Sequence, residues 1–161
     1  MRGALRCIAA LGVALAPAWA LGQTTTCAIL SAPGMGFGSY DDSGAAPTDS
    51  TTSVAVRCTR NGGPSNVNVT LGLGPSTNTG QTLVRRMRAG AEVLDYNLFR
   101  DAGRASVWGP TPGTDASTIT LTGIANNSSQ DATFVIYGRI PALQNAAVGL
   151  YSDAVTITLQ P

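Results

Sequence analysis

Residues 137–161, YGRIPALQNAAVGLYSDAVTITLQP, end on a two-residue alternation. Val155, Ile157 and Leu159 share one parity, and Ala154, Thr156 and Thr158 share the other. Successive side chains of an extended chain point to opposite faces, so residues 154–159 are expected to form a strand with one apolar and one polar face. Gly149 and the pair Ser152 and Asp153 lie just ahead of it, where a turn is expected. A half-buried strand needs a neighbour on each edge, and no further strand follows this one in the sequence. Where the second neighbour comes from is the functional question.

The same period recurs upstream. Val54, Val56 and Cys58 alternate with Ala55 and Arg57, and Val67, Val69, Leu71 and Leu73 repeat at every second residue. Ile119 and Leu121 alternate with threonines, and Phe134, Ile136 and Ile140 share a parity in a segment that Pro141 ends. Residues 27–30 make a further short strand. Residues 93–100, VLDYNLFR, carry apolar groups on both parities, which predicts a strand buried on both faces, with a short helix as the alternative. Turn residues punctuate these segments: Asn61-Gly62-Gly63-Pro64, the Gly-Pro-Thr-Pro-Gly run at 109–113, and residues 126–131. Residues 40–53 and 72–80 are polar and are expected to be loops. Arg85, Arg86 and Arg88 form a basic knot, expected to be an exposed strand with solvated arginines; contact with an anionic surface or glycan is the alternative. Past residue 20 no useful helical period appears. Short strands between Gly, Pro, Asn and Asp turns predict an all-β sandwich or barrel.

The first twenty residues read differently. Arg2 and Arg6 precede a short apolar run from Ile8 to Ala16, and Ala18-Trp19-Ala20 forms an A-x-A cleavage signal. Residues 1–20 are thus expected to be a signal peptide and residues 21–161 the mature domain, exported to the periplasm, the cell surface or the medium. The chain has 10 Lys+Arg and 9 Asp+Glu, and every base is arginine, so losing Arg2 and Arg6 leaves a near-neutral mature chain. That balance argues against nucleic-acid binding, and no other apolar run is long enough to span a bilayer. Cleavage also removes Cys7, leaving Cys27 and Cys58. An even pair in an exported chain is expected to be a disulfide, with Cα atoms roughly 4.4–6.8 Å apart; two free thiols are the alternative.

Residue types narrow the chemistry. The sequence has no histidine and no lysine, which excludes His-based triads, His-ligated metals and lysine nucleophiles. Only carboxylates remain, and Glu92 with Asp95 or Asp101 could be drawn as a glycosidase pair with nothing to place them in a cleft. The glycines of residues 33–38, PGMGFG, lack the Lys-Ser/Thr of a phosphate loop, and Asp41, Asp42 and Asp49 lack the spacing of a calcium loop. Asn68-Val69-Thr70 is a glycosylation sequon placed in the middle of a strand. We therefore expect no catalytic residue, metal or cofactor.

Several segments together resemble the spore coat protein U domain family, which includes subunits of archaic chaperone–usher pili. They are Cys27 with Cys58, Phe37-Gly38-Ser39-Tyr40, Val54-Ala55-Val56-Arg57-Cys58, Arg86-Met87, the run from Leu94 to Asp101, Trp108-Gly109, the run from Tyr137 to Gln144, and Gly149-Leu150-Tyr151-Ser152-Asp153. The resemblance covers nearly the whole mature chain. It implies an immunoglobulin-like sandwich lacking its last strand, which a periplasmic chaperone lends and a neighbouring subunit then replaces. It also implies an outer-membrane usher as partner and a structural or adhesive role. Tyr151, Val155, Ile157 and Leu159 would form the groove for the added strand. Donating pilins carry an N-terminal extension of alternating residues, whereas residues 21–26 form a short polar lead with one apolar residue. The expected position is therefore one that accepts a strand, such as the tip. A free-standing secreted or coat protein that completes itself or swaps strands is the alternative.

Overall fold

The computed structural model describes residues 24–161, so the expected signal peptide, residues 1–20, lies outside the described residues. The described residues form eight strands and no helix: β1 (Thr24–Ser31), β2 (Thr48–Asn61), β3 (Val67–Ser76), β4 (Arg85–Ala89), β5 (Glu92–Phe99), β6 (Ser117–Leu121), β7 (Ser128–Ile140) and β8 (Val155–Gln160). They build two antiparallel sheets, one in the order β1-β2-β7-β5-β4 and one in the order β6-β3-β8.

The long pair β2 and β7 is the frame. Its register runs from Thr48↔Ile140 to Arg60↔Ser128 without a bulge, so Val54, Val56 and Cys58 face inward beside Ala132, Phe134, Ile136 and Ile140. Val67, Val69, Leu71 and Leu73 of β3 face them from the second sheet. Each such side chain contributes about 1.5–3 kcal/mol on burial, so the two-residue period is enough to hold the layers together. Trp108 seals the interior. Its indole Nε1 donates to Leu71 O at 2.9 Å, and its ring packs against Phe134 with centroids 6.2 Å apart.

Cys27 and Cys58 stand directly opposite each other in the β1–β2 ladder and are disulfide-bonded. Their Cα atoms are 4.0 Å apart, below the expected window and nearer the roughly 4.5 Å of a non-hydrogen-bonded ladder pair than the roughly 5.5 Å of a hydrogen-bonded one.

Four local expectations are corrected. Residues 48–53 and 128–131 are strand rather than loop or turn, because they ladder at long range to residues 135–140 and 57–60. The inward hydroxyls of Ser50 and Thr52 donate to Gly36 O (2.6 Å) and Pro33 O (3.3 Å), which gives polar residues a place inside a strand. Strand β3 likewise runs on to Ser76. In β5 only Leu94, Tyr96 and Leu98 are buried, while Val93 is 37% exposed, so this strand is buried on one face. Finally, Arg85 is 0% exposed, the opposite of a solvated arginine. The Gly-rich residues 33–38 form no regular element and lie against β2 and β7.

Candidate functional site at the seam between β1 and β8

Strand β8 ladders to β3 from Gln160, opposite Thr70, to Val155, opposite Ser76. Among the described residues no ladder joins its other edge. Across that edge lies β1, which belongs to the other sheet, so the sandwich is open along this seam. Inward side chains along the opening are left partly uncovered. Val155, Ile157 and Leu159 are half-buried and pack against the core, while Thr156 and Thr158 face solvent. Ile29 shares the inward parity of Cys27 but is 39% exposed.

A cavity of about 340 Å³ lies between the start of β8 and the segment that follows β1. Its floor includes Leu73, Met87, Tyr96, Leu98 and Ile136, and Val155, Ile157 and Tyr151 stand at its wall. Residues 32–37 supply the opposite side. Met35 and Phe37 occupy the space above Gly138, where an added Cβ would collide with Met35 Sδ and Phe37 Cζ. Phe37 meets Tyr96 edge-on at 5.9 Å between centroids. A second cavity of about 470 Å³ lies beside residues 146–151, and Met87 and Tyr151 line both.

The start of β8 is fixed by polar contacts. Ser152 and Arg88 exchange backbone hydrogen bonds of 3.0 and 2.9 Å, and Thr77 N donates to Ala154 O at 3.1 Å. Asp153 accepts from the Tyr96 hydroxyl (2.8 Å), the Thr77 hydroxyl (2.9 Å) and Asn78 Nδ2 (3.1 Å). Burial alone would raise the Asp153 carboxyl, but bonds from Ser76, Tyr96, Thr77 and the Ala154 amide outweigh it and hold the pKa below the usual carboxylate range. Burial, with the Asp153 bond, pushes the Tyr96 phenol up, so it stays a neutral donor.

Behind this wall sits Arg85. The β3–β8 register shifts between Leu73 and Ser76, which frees carbonyls of β3 from the ladder. Arg85 Nη2 donates to Leu73 O (3.2 Å), Gly74 O (2.8 Å) and Trp108 O (2.7 Å), and Nη1 donates to Asn97 Oδ1 (2.7 Å). One side chain of the five-stranded sheet thus holds the irregular part of the three-stranded one. Burial lowers its pKa, and Tyr96, Asp153 and Asp115 oppose that shift.

Of the groove residues expected from the sequence, Tyr151, Val155 and Ile157 line the 340 Å³ cavity together. Leu159 lies further along β8, half-buried against the core. The sequence reading missed Met35, Phe37, Met87 and Tyr96. Their alternation was visible only for Tyr96, and the folding-in of residues 33–37 has no periodic signal. The other candidates are dispersed. Asp95 pairs with Arg86, Asp101 accepts from the Ala105 and Ser106 amides, and Glu92 starts an exposed hairpin. Asp41 bonds Ser43, and Asp49 pairs with Arg139 and Arg104. Among the described residues no group of three or more His, Cys, Asp or Glu side chains could hold a metal ion. No described helix is long and apolar enough to cross a membrane.

The comparisons with known proteins agree with this architecture. The family model described as Spore Coat Protein U domain matches residues 14–158. "Protein U" of Myxococcus xanthus is 34% identical over 146 residues, covering 83% of this chain and 76% of that protein. In fold, the chain is similar to one in the pre-assembly complex of CsuC and CsuE, chaperone and tip adhesion subunit of the archaic chaperone–usher Csu pili of Acinetobacter baumannii. That match has a TM-score of 0.52 and 20% identity, and it covers 85% of this chain but only 40% of the other. The fold is an immunoglobulin-like sandwich. The chain belongs to the spore coat protein U domain family, whose members are structural proteins rather than enzymes.

Proposed function

We propose that this chain is an exported structural subunit of a bacterial surface fibre that accepts a strand from a partner along β8. A periplasmic chaperone supplies the strand first, and a neighbouring subunit replaces it after delivery to an outer-membrane usher. The observation that carries the reading is the unpaired edge of β8 beside a cavity that Leu73, Leu98, Ile136, Val155 and Ile157 line on its apolar part. An added strand gains main-chain hydrogen bonds along that edge and places alternate side chains over Ile29, Val155 and Ile157. Thr24, Thr25 and Thr26 are laddered to Asn61, Arg60 and Thr59, so these residues are not free to serve a neighbour. This supports a position that accepts without donating, as at a tip, where the subunit would take an adhesive role. A second reading, a free-standing coat protein that completes itself or swaps strands, is favoured by the family description, which names a spore coat.

Two adjacent substitutions test the first reading. Ile157→Asp puts a carboxylate into the apolar wall, where burial without a partner is costly. Thr156→Asp puts the same charge on the exposed face. Binding of a synthetic strand with alternating apolar residues is expected to weaken at least ~100-fold, about 2.7 kcal/mol, for Ile157→Asp and less than ~3-fold for Thr156→Asp. Equal effects would contradict a partner strand on this edge.

A further inference from the structure

We infer that Met35 and Met87 make the groove adaptable, so that one subunit accepts donor strands of different sequence; this rests on the strand-accepting reading above. The sequence holds three methionines, and apart from Met1 both line the 340 Å³ cavity. The other large apolar side chains that line it are branched or aromatic: Leu73, Leu98, Ile136, Phe37 and Tyr96 among them. Branched and aromatic side chains have few rotamers, whereas methionine has three rotatable bonds, no branch and a polarisable sulfur that packs well on rings.

Met87 also has room to move. Met87 points inward from β4, is 8% exposed, and lines both the 340 Å³ and the 470 Å³ cavities. It is a partition with free volume on either side, so a bulky incoming residue shifts it toward the second cavity instead of being refused. Met35 comes from a segment outside the ladders, and its sulfur packs directly on the bare backbone of Gly138. A close-packed floor resists insertion of even one extra methylene, and overpacking typically costs about 1–3 kcal/mol. Two pliable residues remove that penalty for a range of side chains. A chain that meets two different strands in succession needs such tolerance at the same site.

The test uses the purified protein and a panel of synthetic strand peptides, with threonine at outward positions and alanine, valine, leucine or phenylalanine at inward ones. For the unsubstituted protein the dissociation constants of the three larger peptides are expected to fall within about tenfold of one another. In the Met35→Ile, Met87→Ile double variant that spread is expected to widen to about 100-fold, with the best binder changed by less than about threefold. Far-ultraviolet circular dichroism checks that the variant is folded. If isoleucine is not tolerated, Met35→Leu with Met87→Leu carries the same test, since leucine keeps the size with fewer rotatable bonds. A uniform weakening across the panel, or an unchanged spread, would overturn the inference while leaving strand binding intact. No binding of any peptide to the unsubstituted protein would instead overturn the strand-accepting reading itself.

Discussion

Arg85→Met is expected to destabilise the protein by about 3–5 kcal/mol, measured by urea unfolding, although methionine fills much of the same space. The buried guanidinium donates to Leu73 O, Gly74 O, Trp108 O and Asn97 Oδ1. Its loss strands acceptors in the interior, and an unsatisfied buried polar group costs about 1–3 kcal/mol. Two of these carbonyls lie where the β3–β8 register shifts, so the groove wall should loosen as well. Arg86→Met, one residue on, is the control. Arg86 pairs with Asp95 at a half-exposed site, and such pairs contribute about 0–1 kcal/mol. Similar losses for the two variants would show that Arg85 is not a buried tie between the sheets.

The second large effect is expected from the disulfide. Replacing both Cys27 and Cys58 with alanine should cost about 3–4 kcal/mol, because the bond closes a long loop in the unfolded chain. The two cysteines are separated by 31 residues, and β1 is anchored to the first sheet only through β2. Losing the bond should therefore loosen β1, one lip of the seam, before it disturbs the β2–β7 frame. Urea unfolding of the double variant, set beside the oxidised and the reduced protein, measures this. A loss below about 1 kcal/mol would show that the β1–β2 ladder alone holds the lip.

Most of the architecture was legible because its signal is local. The alternations at Val67 to Leu73, Phe134 to Ile140 and Val155 to Leu159 each mark an inner face, and the structure buries or half-buries those faces. Residues 48–53 and 128–131 carried no such signal. They are polar, and what makes them strand is a register partner some eighty residues away in sequence. Arg85 was misread for a related reason. Its environment is set by a bulge in β3 and by Trp108, and neither relation leaves a trace in neighbouring residues. At the seam, parity picked out Val155, Ile157 and Leu159, while the opposite wall, from Met35 and Phe37, depends on an irregular segment with no period to read.

Amide hydrogen exchange along β8 tests the central claim most directly, with the protein alone and with a bound strand peptide. Amides of Val155–Gln160 that bond to β3 should be protected in both states. Those on the other edge should exchange rapidly in the protein alone and slow by about 100-fold or more when the peptide binds. Protection of every β8 amide in the protein alone, unchanged by the peptide, would mean that the edge is already covered and would contradict the account.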